Sequence, residues 1–379
     1  MILGKATTTK TKHYAQVHQT ECPAEHFREF NNLTASSIGI GTYLGSSDPA
    51  TDNLVTEAII KSVKNGINLI DTAINYRSQH GEMSVKKALL QLIESKTVSR
   101  EELIICSKGG FIPKPEKEKW FSGFIPNREK EEWFKREYID NPKFNIQATD
   151  MVAGVHCMHP EYIQDQLERS LINLGIETID IYYLHNPESQ LGIIPADEFY
   201  RRLQAVFSVL EKAADTGKIT AYGIATWQGF RVPPTDAKHI DLAKAKSIAQ
   251  QITGGKGDRF QFIQLPVNLA MTEAIITPTQ TVDGKILPAI TAANKLGINA
   301  IASASIAQAK NLKQFPKKIM TALGENLKTD AVRALQFTRS VPGVCSALVG
   351  MKSPNHVAEN LTLSNIGPLD KADFAQLIN

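Results

Sequence analysis

Four polar residues, three of them able to move protons or hold charge, stand at or near the ends of apolar runs. Asp71 closes Ile67-Asn68-Leu69-Ile70, Lys108 lies near the end of Glu102–Gly110, and His185 closes Thr178–His185. Gln264 sits in the apolar run Phe260–Asn268, and Tyr76 follows shortly after Asp71. A carboxylate at the end of a buried strand is costly unless a cation pairs with it, and Lys108 is the cation available. An ammonium beside a phenol favours the phenolate. Lys108 is therefore expected to lower the pKa of Tyr76 from about 10 and make it a better proton donor near neutral pH. His185 can orient a carbonyl or relay a proton. Each residue alone has a bland use: the Asp as a helix cap, the His as a satisfied core residue, the Tyr as packing. Their joint occurrence at successive strand ends is what points to chemistry.

The elements that must position them alternate. Counting from Ile38, eight apolar strand-like runs are each followed by a helical pattern. The predicted helices are Asn53–Asn65, Gly81–Glu94, Pro160–Leu174, Asp197–Thr216, Asp241–Ile252, Leu287–Leu296, Thr329–Ser340 and Asn355–Leu363. Alternation of this kind implies a parallel sheet, and eight units imply a (β/α)8 barrel whose strand ends converge on one mouth. A doubly wound open sheet is the alternative, weakened because no GxGxxG follows the first strand. Residues 1–32 are polar and read as a loosely held N-terminal arm. The barrel runs over 33–379, opening with a hairpin at Leu33–Gly45.

Residues 111–155 interrupt the alternation after the third strand. They are rich in Pro, Lys, Glu and aromatics, including Trp120 and Trp133. Because the insertion leaves at the strand C-termini, it is expected to be either a lid or substrate wall, or a peripheral decoration. Its Ile112, Ile125 and Met151 suggest a partly apolar ligand.

The chain has 379 residues, is 42% hydrophobic and 21% charged, and carries a formal net charge of +3. Nothing global calls for nucleic acid or a membrane surface, and no apolar run has the length of a membrane span. The N-terminus lacks the apolar core of a secretory signal. Cys22, Cys106, Cys157 and Cys345 have no metal-like spacing, so reduced thiols in a cytoplasmic protein are expected, without a metal.

The segments IDTAINYRSQHGE, IICSKGG, PEYIQDQLERSLINLGIETIDIYYLHNPE, FIQLPVNL and GMKSPNHVAEN resemble those of the aldo-keto reductase superfamily. The resemblance covers Leu33 to Leu363 apart from the insertion. It implies hydride transfer between a nicotinamide dinucleotide and a small carbonyl or alcohol substrate, with Asp71, Tyr76, Lys108 and His185 as catalytic tetrad. It implies that the cofactor lies extended over the barrel mouth. Gly41, Thr42 and Asp71 would stand near the nicotinamide. Gln264 would bond the carboxamide, helped by Thr226. Gly350, Lys352 and His356 would stand on the 2′-phosphate side, with Glu359 and Asn360 at the adenine. Lys352 favours NADP(H) through a charge-assisted bond, while NAD stays open. Three positions depart from the family pattern. Ala225-Thr226 replaces a Ser-Asn or Ser-Arg pair, Ser303 replaces a stacking aromatic, and His356 replaces a Gln or Arg. These departures motivate a rival expectation, a cofactor-sensing regulatory subunit with weak or vestigial reductase activity.

Overall fold

The computed structural model describes residues 1–113, 127–306, 317–324 and 326–378. Eight parallel strands close into one barrel: β1 Ile38–Gly41, β2 Leu69–Asp71, β3 Ile104–Gly109, β4 Ile179–His185, β5 Ile219–Ala225, β6 Phe260–Pro266, β7 Asn299–Ser303 and β8 Val344–Gly350. Each strand pairs with the next in sequence, and β8 returns to β1 with Gly350 opposite Gly41. The register sets Asp71 beside Gly41 and Cys106, Lys108 beside Tyr183, and His185 beside Ala225. Most of these strand residues are buried on both faces, which is why they read as continuous apolar runs.

The outer helices are α1 Pro49–Val63, α2 His80–Glu94, α3 Pro160–Leu174, α4 Ala196–Asp215, α5 Leu242–Ile252, α6 Ala289–Lys295, α7 Asp330–Ser340 and α8 Pro354–Leu361. Local chemistry sets their ends. Asp48 caps α1 by accepting from the Thr51 amide at 2.8 Å, with Pro49 in the first turn. Helix α3 starts at Pro160 and stops at Gly175, whose φ of +66° suits a residue without a Cβ. Helix α6 starts later than its pattern predicts. Lys285–Pro288 pairs antiparallel with Pro278–Val282 instead, around the left-handed Asp283-Gly284 turn that two-residue hairpins require.

The first residues are not a loose arm. A helix over Thr8–Val17 leads to a hairpin, Phe27–Phe30 with Leu33–Ser36, that turns on left-handed Asn31 and Asn32. This hairpin lies one strand earlier than expected. Phe30, Leu33 and Ala35 join the inner barrel cluster with Leu69, Ile181 and Phe262, so the hairpin closes the barrel's N-terminal end. The few apolar groups of this polar segment are therefore its anchors. Tyr14 is one of them: it is buried, and its hydroxyl donates to the Val63 carbonyl at 2.5 Å.

The insertion is zipped shut at its base. Phe111 bridges to His156, the Ile112 amide donates to Val155 at 2.8 Å, and the Cys157 amide donates to Gly110 at 2.9 Å. A helix over Asn127–Phe134 runs into a π turn at Lys135–Ile139. Trp133, Phe134 and Tyr138 are buried against α3, where Tyr138 meets the Tyr162 ring at 5.0 Å and donates to Asp165 at 2.7 Å. Trp133 thus extends the core and does not line the mouth, while Trp120 and Ile125 lie outside the described residues.

Candidate active site

Strand β2 delivers Asp71 and strand β3 delivers Lys108 to the same spot. The Lys108 ammonium, wholly buried, donates to Asp71 Oδ2 at 2.5 Å and to the Thr72 carbonyl at 2.9 Å. It also lies 4.8 Å from the centroid of the Tyr76 ring. Gln264, on β6, donates to the other Asp71 oxygen at 2.8 Å. The His185 ring packs edge-on to Tyr76 with centroids 5.7 Å apart. Asp71, Lys108, His185, Tyr76 and Gln264 therefore form one contiguous cluster, as a closed barrel demands.

The turn carrying Tyr76 is held in an unusual shape. Arg77, Ser78 and Gln79 have φ of 51°, 53° and 74°, a left-handed run that non-glycine residues keep only where surroundings impose it. The surroundings do so here. The buried Arg77 guanidinium pairs with Asp52 of α1 and donates to the Ser46 carbonyl at 3.1 Å, and His80 meets the same carboxylate at 2.8 Å. Sequence reasoning missed this clamp, because its members are polar residues brought together only by the barrel.

Burial sets the protonation of the cluster. It raises the pKa of Tyr76, and the attraction of Lys108 for the phenolate offsets only part of that rise. The expected lowering is corrected: desolvation outweighs the neighbouring ammonium. Burial also works against the Lys108 charge, but Asp71 and Tyr76 together more than compensate, so its pKa rises. His185 is driven well below its ordinary range by burial, then by Lys108 and by His156. The result is a neutral phenol, a charged lysine and a neutral imidazole whose buried Nδ1 has no hydrogen-bond partner among the described residues.

A cavity of about 620 Å³ opens over the cluster and runs from Tyr76 and His185 to Lys352 and His356. Gly41, Gly350, Gln264 and Ser303 also line it. Several expected contacts do not reach it. Thr42 is buried beneath the rim, donating to the Thr72 hydroxyl at 2.7 Å. The Thr226 hydroxyl accepts from the Gly229 amide at 2.8 Å. Asn360 is buried against Met351, and Glu359 is half-buried; neither lines the cavity. Ile112 and Met151 stay out of the wall, whereas Phe111, Tyr43 and Trp227 form part of it. The aromatic character of these three was visible in the sequence; their direction was not. Among the described residues no cluster could hold a metal ion, and no helix is long and apolar enough to cross a membrane.

The model of the Aldo/keto reductase family matches residues 37–246. The chain is 27% identical over 214 residues to the NADH-specific methylglyoxal reductase of Escherichia coli (strain K12), covering 55% of this chain and 51% of that protein. It is 24% identical over 211 residues to aldo-keto reductase family 4 member C11 of Arabidopsis thaliana, covering 52% and 50%. The chain thus spans about half the length of these curated relatives. Among solved structures, an aldo/keto reductase from Klebsiella pneumoniae in complex with NADP and acetate superposes with a TM-score of 0.59 at 20% identity, covering 93% of this chain and 94% of that one. The glycerol dehydrogenase of Gluconobacter oxydans gives 0.59 at 18% identity, covering 94% of each. At such identities the likeness shows the fold.

Proposed function

The chain belongs to the aldo/keto reductase family, and from that premise we propose that it transfers hydride between NADP(H) and a small carbonyl or alcohol substrate. The observation that carries this reading is the Lys108 ammonium, which pairs with Asp71 and lies 4.8 Å from the Tyr76 ring centroid, at the wall of a cavity that Tyr76 and a neutral His185 also line. Residues 33–379 form the reductase unit and residues 1–32 its appended arm, in a cytoplasmic protein without nucleic-acid or membrane partners.

The residues present fit a dinucleotide. Two glycines, Gly41 and Gly350, line the cavity side by side on adjacent strands, and Lys352 brings an ammonium to the same lining, beside His356. There Gly41, Gly350, Lys352 and His356 would hold the cofactor, with Gln264 near the carboxamide and Glu359 and Asn360 outside the first contacts. A nicotinamide dinucleotide held there would supply the hydride for the carbonyl carbon. Tyr76 keeps its proton until negative charge grows on the substrate oxygen, then gives it up as general acid. Lys108 stabilises the phenolate left behind, and Asp71 keeps Lys108 charged and in place. His185 orients the carbonyl through its ring, which carries no charge.

Oxidation of NADPH with a panel of aldehydes tests the reading. Tyr76→Phe is expected to cut kcat by about 10² to 10⁴ with NADPH affinity within about twofold of wild type. A Tyr76→Phe variant with wild-type turnover sinks it. One observation favours a second reading. The Gln264 amide is committed to Asp71 and the Thr226 hydroxyl to Gly229, which thins the grip on a carboxamide. Tight dinucleotide binding by the wild type without turnover of any aldehyde supports a cofactor-sensing subunit instead. Parallel titration with NADH decides the cofactor preference.

A further inference from the structure

We infer that His156, carried by the returning end of the insertion, is a positioning residue for His185, which makes the base of the insertion part of the reductase machinery. The inference rests on the function proposed above. His156 is fully buried, and its Nε2 lies 2.8 Å from the backbone carbonyl of His185. A carbonyl only accepts, so Nε2 carries the proton and Nδ1 keeps its lone pair. The Gln190 side-chain amide fills that lone pair at 3.2 Å, and Gln190 in turn accepts from Arg202 at 3.2 Å. The ring has one tautomer because both its nitrogens are spoken for.

A buried, satisfied histidine is usually core. Three features separate this one. The peptide unit joining His185 to Asn186 is gripped from both sides: its N–H donates to Ala225 of β5 at 2.5 Å, and its carbonyl accepts from His156. The β3–β4 ladder ends at Gly109 and Leu184, so without His156 the His185 carbonyl has no strand partner on the insertion side. Phe111 stands edge-on to both imidazoles, with centroids 5.3 Å from His156 and 5.4 Å from His185, and the same ring lines the cavity. Gly110 makes the close approach possible. Its φ is +121°, and a Cβ there would lie 2.9 Å from His156 Nε2 and 3.4 Å from the His185 carbonyl. Burial holds His156 down to about 4, so a neutral donor is present at all working pH values.

Two variants and one spectrum test this. In His156→Gln the amide nitrogen reaches the position of Nε2; in His156→Asn it reaches only that of Nδ1. The Asn variant is expected to lose about 10- to 100-fold in kcat, with NADPH affinity unchanged, because a small misplacement of a reacting group is enough for that. The Gln variant is expected to recover most of it. Equal losses in both, or none in either, overturn the proposal, as does a fall in NADPH affinity that matches the loss in kcat. The ring-nitrogen NMR spectrum of the wild-type protein needs no variant. A non-titrating Nε2–H tautomer for His156 is expected; an Nδ1–H tautomer, or titration near the usual histidine pKa of about 6.5, overturns it. If the wild type reduces no carbonyl, the proposed function fails, and the spectrum still decides whether His156 holds the His185 peptide.

Discussion

The two ends of the barrel each bury an ion pair, and they use it differently. At the N-terminal end Arg100 meets Asp180 at 2.8 Å. Asp180 also accepts from the amides of Ala6 and Ile105, both at 2.7 Å, so its carboxylate is spent on tying the first residues to the barrel. Nearby, Arg339 is buried and bonded to the carbonyls of Leu363 and Ile366 and to Gln336. None of these residues faces the cavity. At the C-terminal end Lys108 pairs with Asp71 just as deeply, yet its neighbours keep capacity in reserve. The Nδ1 of His185 and the Oδ1 of Asn75 are buried without partners among the described residues, and both residues line the cavity. Burial and charge are common to both ends. Buried polar atoms without a partner among the described residues occur at both ends, Arg100 Nε included, and each costs stability, but only at the mouth do they belong to residues that line a cavity.

The sharpest way to break this contrast is to cut both pairs. Lys108→Met is expected to reduce kcat/KM by about 10² to 10⁴, since the proton donor loses the charge that stabilises its conjugate base. Asp180→Asn is expected to cost about 3–5 kcal/mol of stability, because it strands the buried Arg100. Its kcat, corrected for the folded fraction, should stay within about twofold of wild type. Denaturant titration and steady-state kinetics on both variants decide. A catalytic loss in Asp180→Asn as deep as that in Lys108→Met would erase the distinction between the two ends.

What could be read before folding follows the same division. The eight strands were legible because a parallel strand buried on both faces is an unbroken apolar run. The cluster was legible because Asp71, Lys108 and His185 end such runs. The direction of the Tyr76 pKa was not, because desolvation depends on everything packed around the ring and only Lys108 was in view. Trp133 illustrates a second limit, since an aromatic lid and an aromatic core have the same composition. Thr226 sits where a cofactor contact was expected, but its hydroxyl turns to a glycine amide in its own loop. His156 gave no signal at all. It lies just past an aperiodic insertion, and its partner is a backbone carbonyl, which every residue has.

A smaller effect sharpens the comparison through pH, because each end also buries a neutral histidine. Burial holds His26 at the N-terminal end down to about 3 and His156 at the mouth down to about 4. In the unfolded chain both rings take a proton near pH 6.5. Between that value and the folded ones, the folded state binds fewer protons, so stability is complete above about 6.5 and falls as the solution is acidified. Each ring contributes a slope of up to about 1.4 kcal/mol per pH unit in that window. The buried Glu82 and Glu188, raised by desolvation, work in the opposite sense and soften the fall. Thermal melts from neutral pH down to about 4.5 should therefore show a decline that flattens in His26→Asn and in His156→Asn by similar amounts. Only the second should also change kcat, because its amide does not reach the His185 carbonyl. A variant that changes the acid slope without touching turnover marks a histidine that is merely buried. One that touches both marks a histidine the mouth depends on.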